Sequence, residues 1–444
     1  MKRWMRRSVA QGGMPWLRLC GLVFWLCLAP AVQAISSTPY GYDFLRSGKT
    51  WPDEAPVTVQ VSAQDAAITP ARLAEQRARL QAMEAAEGPY AASLAVPLAD
   101  LGRGLSGAGD PLAAARVYSR ALHVLRINQG LYSDQQLPLI KELLAAHRSL
   151  GDWQALDARY DYYYRLLGGG ERMNTRAAAD YFRWQREALR RELDSSDQRR
   201  LLHLHESNQQ LLLATQATLP ASQRWYLVDS QLRNLYLVQA QARPDVWASN
   251  RGATAPFGFR QEPLQELDVY EQRLLTLQRS AEVQGAQLLL DFIAAPDLQD
   301  EALRARAWLA LADWRQWNGE GRLAAADYRA VAAHLQATGQ QALLEEWFNS
   351  PVELPDNGAF TRDPGSGGVL VTARYRVTDD GVARDVETQA EDEADKGSAM
   401  RLYRSLLKTR FRPRLEAGAP IASGPVERSY RYFDADTIRR FRSP

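Results

Sequence analysis

The sequence predicts a mainly α protein. A helical array over residues 69–349 is followed by a small α+β domain of element order β-β-α-β over residues 368–444. Three observations predict this. From Thr69 to Leu344 the chain is rich in Ala, Leu, Arg, Gln and Glu, and its apolar residues recur at spacings of three and four, the period of a helix face. Val369, Val371, Ala373, Tyr375 and Val377 alternate with Leu370, Thr372, Arg374 and Arg376, the period of a half-buried strand. Between the two regions, residues 350–367 hold Pro351, Pro355, Pro364 and several glycines, and read as a linker.

Residues 1–34 read as an export signal. Lys2, Arg3, Arg6, Arg7 and Arg18 make a basic start, and the apolar run Leu19–Pro30 is too short for a comfortable transmembrane helix. Val32-Gln33-Ala34 supplies small residues at the spacing of a cleavage site, so the mature chain is expected to begin at Ile35, in the periplasm. Cys20 and Cys27, the two cysteines of the chain, both fall inside the signal. The mature protein then has no thiol and no disulfide, and loss of five basic residues turns the formal net charge of +2 into −3. A near-neutral exported chain offers no general attraction for nucleic acid. No apolar stretch after residue 34 is long enough to span a bilayer. Residues 35–68 contain no long helical pattern and read as an N-terminal arm.

Thr69-Pro70 is an N-cap followed by proline at the first helical position. Leu98, Leu101, Gly102 and Leu105 mark one helix, Gly109-Asp110 a turn, and Ala114, Tyr118 and Ala121 one face of the next. Pro97 is expected to kink the first of these or make it start late. A second set is Trp308, Leu311, Ala312, Gly319, Ala324, Tyr328 and Val331. A degenerate third is Ile140, Leu143, Leu144, Gly151-Asp152, Leu156, Tyr160 and Tyr163. These segments resemble tetratricopeptide repeats, most closely at residues 98–121. The region from Asn174 to Gln241 is helical but off this pattern, and Ser249–Pro263 reads as a loop. Helix pairs of this kind bury their apolar faces by stacking, and stacking creates a groove suited to peptides or proteins.

In the tail, the strand at 369–377 is followed by the turn Asp379-Asp380-Gly381 and a second strand through Val382, Arg384 and Val386. A helix follows with the stripe Ala399, Leu402, Tyr403, Leu406 and Leu407. Then come Arg410-Phe411-Arg412-Pro413, Gly418-Ala419-Pro420, and a closing strand from Val426 to Phe433. This order resembles the C-terminal domain of the TonB family. The resemblance implies a protein-binding module. The alternating strand, the helix stripe and the linker before them predict that the tail folds independently, with Phe411 and Tyr403 in its core and Gly418 in a turn; Phe411, just before Pro413, is expected to anchor the entry to the last strand. The chain departs from an energy transducer of that family. Its signal reads as cleavable, and its linker reaches at most about 65 Å fully extended.

Chemistry-bearing patterns are few. His203 and His205 are two apart on a helix and point to opposite sides, which makes a poor chelate. Gly168-Gly169-Gly170 lacks the Lys-Ser/Thr of a phosphate loop and reads as a helix stop. Glu391-Asp392-Glu393 reads as dipole compensation at a helix start. Neither metal nor cofactor is expected. Tyr160, Tyr163 and Tyr164 fit a helix interface, which leaves Tyr162 outside. The polar segment 126–136 contributes Arg126, Asn128, Gln129, Tyr132, Gln135 and Gln136, which with Tyr162 are the candidate partner-binding residues.

The expectation is therefore a non-catalytic periplasmic protein that binds or scaffolds proteins or peptides of the bacterial envelope. One alternative is an envelope enzyme acting on cell-wall polymer through carboxylates within 174–300. Another is a membrane-anchored TonB-like transducer, should the signal be retained.

Overall fold

The computed structural model describes residues 39–55, 69–168, 175–193, 197–241, 264–361 and 368–433. It is mainly helical, with a small antiparallel sheet toward the C-terminal end. The expected signal at 1–34 and the loop Ser249–Pro263 lie outside the described residues.

The array starts where its capping residues place it. Thr69 accepts a hydrogen bond from the Arg72 amide at 3.3 Å, and Pro70 opens α1 (Pro70–Glu87). In α2 (Ala95–Gly107), Pro97 sits in the first turn, where its missing N–H costs nothing, so the helix starts there instead of kinking. Asp110 caps α3 (Pro111–Gln129) by accepting from the Ala113 amide at 2.9 Å. Next come α4 (Leu137–Leu150) and α5 (Trp153–Gly168), which turn at Gly151 with φ 68°. The off-pattern stretch forms α6 (Thr175–Arg191), α7 (Asp197–Thr215) and α8 (Ala221–Gln241). The array ends with α9 (Leu264–Ile293), α10 (Glu301–Asn318), α11 (Gly321–Ala337) and the short α12 (Gln341–Phe348).

Consecutive helices pack as neighbours from α2 to α5 and from α9 to α11. Between them the order is interleaved: α6 also packs on α8, and α7 on α9. Close approach rests on helical glycines. A Cβ added to Gly102 would lie 2.3 Å from Cε1 of Tyr118, whose ring fills the space over α2. Gly285 on α9 does the same for Trp314 on α10, with 2.4 Å to the ring. Ala114, Tyr118, Ala121, Ile140, Leu143, Leu156, Tyr160, Tyr163, Ala312, Ala324, Tyr328 and Val331 are all buried, as their spacing predicts. Tyr160 stacks on Trp184 and Tyr164 on Tyr181, which ties α5 to α6.

The strands are β1 (Phe44–Arg46), β2 (Val352–Glu353), β3 (Val369–Val377), β4 (Ala383–Ala390), β5 (Phe411–Arg412), β6 (Arg414–Glu416), β7 (Ala419–Ile421) and β8 (Val426–Tyr432). The main sheet has the order β1-β8-β3-β4, with every pair antiparallel. Val371, Ala373, Tyr375 and Val377 point into the core, where Ala399, Leu402 and Leu406 of α13 (Lys396–Lys408) meet them. The helix stripe is narrower than its spacing predicts. Tyr403 is half-buried and Leu407 is 39 % exposed, because a helix on one face of a small sheet is covered only along a single line. Gly418 occupies the β6–β7 turn with φ 77°.

Phe411 is fully buried, as expected, but it does not lead into the closing strand. It belongs to β5, which pairs with β2. Its amide donates to the Gly381 carbonyl at 2.9 Å, and the β6–β7 hairpin intervenes before β8. Pro351 through Phe360, expected as part of a linker, is packed. Val352, Leu354, Ala359 and Phe360 are buried, and Phe360 stacks on Trp317 of α10.

Part of the arm is built into the tail. Phe44 pairs with Tyr432 and Arg46 with Tyr430, so β1 forms one edge of the sheet. Beneath it, the buried Glu353 carboxylate accepts from Arg46 at 3.2 Å, Arg428 at 2.8 Å and the Tyr430 hydroxyl at 2.6 Å.

Candidate functional site

The sequence-predicted residues cluster where α3 turns into α4. Arg126 lays its guanidinium over the Tyr162 ring, 4.1 Å from the centroid, and donates from Nε to the Tyr162 hydroxyl at 3.1 Å. That hydroxyl lies 2.7 Å from both the Leu131 carbonyl and Gln136 Oε1. Gln136 is buried and donates to the Gly130 carbonyl at 2.9 Å. Asn128 donates to the carbonyls of Tyr90 and Val124, each at 2.8 Å. Gln129 and Gln135 bond to each other, and Ser133 joins them. The structure thus brings six of the seven residues together, but their polar groups are spent on one another and, for Asn128, on backbone carbonyls. They fasten the α3–α4 connection to α5 and to the α1–α2 connection. Tyr132 joins none of these bonds and is 66 % exposed, and Asn128, Gln129 and Gln135 are exposed beside it.

A groove of about 840 Å³ opens between α7, α8 and α9. Leu212, Leu213, Leu288 and Phe292 supply its apolar wall; Gln209, Gln216, Gln284 and Gln287 supply its amides. The floor is polar yet uncharged. His205 is buried, and its Nδ1 accepts from Gln231 Nε2 at 2.8 Å. Burial pushes the His205 pKa down to about 4, so the ring is neutral. Gln231 Oε1 in turn accepts from Asn208 and Asn234. A bidentate Arg224–Asp297 pair, at 2.9 and 2.7 Å, closes one end. Amides over an apolar wall can bond the backbone of an extended peptide while its side chains find apolar contact. His203 points elsewhere, to Ser207, as the spacing of two predicts. Among the described residues no group of three or more His, Cys, Asp or Glu could hold a metal ion.

A second cavity, of about 400 Å³, lies where the arm, α8, α10 and the segment 346–357 meet Arg412. Asp229 and Asp313 line it, and burial raises both carboxyls against the pull of their arginines. Asp229 pairs with Arg233 at 2.5 Å, and Asp313 takes Arg412 through both oxygens. Behind this cavity, Glu54 of the arm is buried against Arg186 and Arg190 of α6 and Arg233 of α8. Sequence reasoning missed this cluster. Half of it is visible, since Arg186 and Arg190 stand one turn apart on α6. The other half comes from Glu54, more than a hundred residues earlier and in no recognisable pattern.

No family model matches the chain, and no curated protein matches it.

Proposed function

We propose that the protein is a non-catalytic, periplasmic protein-binding or scaffolding component of the bacterial envelope. In this reading the helices form a tetratricopeptide-like array and the tail a TonB-like module, the signal is removed after Ala34, and the partners are envelope proteins or peptides. The observation that carries the reading is the α7–α9 groove, whose uncharged amide floor and leucine wall suit a peptide better than a reacting substrate. The test is capture of partners from envelope extract by wild type and by Leu213→Asp. Leu213 is 66 % exposed on the groove wall, so its replacement leaves the core intact. Partners held by wild type should be lost by the variant. An identical set on both proteins overturns the reading. Intact mass of the exported protein should lack residues 1–34.

A second reading, an enzyme acting on cell-wall polymer, draws on one observation: Asp229 and Asp313 share the 400 Å³ cavity with raised carboxyls. The arginine bonded to each carboxylate weighs against proton-transfer work. Incubation with purified polymer and mass analysis of soluble products decides it. Fragments formed by wild type and not by Asp229→Asn would support this reading over the first.

A further inference from the structure

A third cavity, of about 510 Å³, opens between α5, α6 and α7, on residues that neither the groove nor the charged cavity uses. Arg165, Arg199 and Arg200 line it, with Asp161 as the one carboxylate in the lining. Asp161 accepts from the Tyr181 hydroxyl at 3.1 Å, and burial raises its carboxyl. Arg200 is held by Asp157 through both nitrogens and donates to Gln185 Oε1 at 2.7 Å. Arg165 and Arg199 make no ion pair among the described residues; Arg199 lies instead over the Tyr270 ring, 5.1 Å from its centroid. The lining is therefore left with excess positive charge.

Gln185 supplies the second, independent observation. It is 6 % exposed, lines this cavity, and its Nε2 has no hydrogen-bond partner among the described residues. Because Arg200 fixes the other amide atom as the oxygen, the orphan is a donor, and a buried donor without an acceptor is costly. His203 Nδ1 is engaged with Ser207 on the rim, and the Tyr164–Tyr181 stack forms an aromatic wall. A buried donor without an acceptor, two unpaired guanidiniums and a flat apolar wall share one ligand chemistry: an anionic oxygen on a molecule of modest size.

We propose that the α5–α6–α7 cavity is a binding site for an anionic group of the carboxylate or phosphate class. The anion's oxygens accept from Gln185 Nε2 and from the Arg165 and Arg199 guanidiniums, and the rest of the ligand rests against Tyr164. The site is separate from the groove on which the proposed function rests.

The test is calorimetric titration of the full chain with citrate and, separately, with inorganic phosphate. Saturable binding of citrate alone assigns a carboxylate site, of phosphate alone a phosphate site, and of both a general anion site. The double variant Arg165→Ala/Arg199→Ala should bind about tenfold more weakly or worse, the loss expected for charge-assisted hydrogen bonds. Gln185→Glu keeps the acceptor for Arg200 and puts a negative oxygen where the amide nitrogen was, so it should abolish binding. Arg72→Ala, on the exposed face of α1, should change nothing. No saturable binding of either probe, unchanged affinity in either site variant, or equal weakening in Arg72→Ala overturns the proposal.

Discussion

Arg412 and Asp313 form a buried bidentate ion pair, Nε to Oδ1 at 2.9 Å and Nη2 to Oδ2 at 2.5 Å, between a strand of the tail and the middle of α10. Gln316, one turn further along α10, donates to the carbonyls of Asp380 and Phe411. These contacts fasten the tail to the array through polar groups removed from water. Asp313→Asn leaves the guanidinium buried without its main counter-charge and should cost about 3–5 kcal/mol in urea unfolding. Arg412→Met should cost a similar amount, and the two together less than the sum, with a coupling of about 0.5–3 kcal/mol. Strictly additive losses would show that the pair is not coupled.

Glu54 makes stability depend on acid. Burial alone would raise its carboxyl, but Arg186, Arg233 and Arg190 overcome this and hold it at about 2, against an ordinary value of 4.5. Glu187 is held at about 2 as well: burial opposes this, and Arg148, Arg183 and Arg191 prevail. A depressed carboxyl contributes stability that is fully present above its unfolded value and is lost as pH falls through its folded value. Melting temperature should therefore fall as pH drops from the ordinary carboxylate range toward 2. Glu54→Gln should be less stable than wild type at neutral pH and should show a shallower fall. Parallel curves would place the acid sensitivity elsewhere.

Gly102 and Tyr118 are a lock of shape. Alanine is a better helix former than glycine by about 1 kcal/mol, so an exposed Gly→Ala change would stabilise α2. Here the added methyl meets the Tyr118 ring at 2.3 Å, and the overpacking cost of about 1–3 kcal/mol should win. Gly102→Ala should lower the melting temperature, and Tyr118→Leu in the same chain should recover part of the loss. A melt equal to or above wild type would mean that the ring moves aside freely.

The tail is not expected to stand alone. Residues 368–433 by themselves lack β1, the Glu353 carboxylate under Arg428 and Tyr430, and the Asp313 partner of Arg412. A fragment of residues 360–444 should give poor amide dispersion by NMR, whereas the full chain should give dispersed signals for residues 368–433. Phe411→Ala in the full chain should cost about 3–5 kcal/mol, since the ring is fully buried against Tyr375. A well-dispersed fragment spectrum would restore the tail as an independent domain.

What could be read from the sequence was what depends on local period and on caps. The alternation at 369–377, the cap at Thr69 and the turns at Gly109 and Gly151 all emerge where the pattern puts them. What could not be read was pairing between distant segments. Nothing near Phe44 announces β8, and nothing near Glu54 announces Arg186. The polar segment 126–136 shows the same limit for the site. Its residue types were legible as hydrogen-bond formers, but whether they bond a partner or one another depends on where Tyr162 of the next helix pair lands. The α7–α9 groove was invisible because α7 packs on α9 as well as on α8, a contact between helices that are not neighbours in the chain, and the α5–α6–α7 cavity because its lining side chains come from three separate helices.

The pairing of Phe44 with Tyr432 also sets an order of events. Strand β1 precedes every helix described above and β8 follows them all, so the sheet edge cannot close until everything between Phe44 and Tyr432 has been synthesised. The entropy of closing so long a loop grows only slowly with its length, so the finished protein bears little extra cost. The delay is kinetic. Until closure, the β8 edge stays open to pairing with another chain, and in that interval the nascent sheet is at its most vulnerable to aggregation.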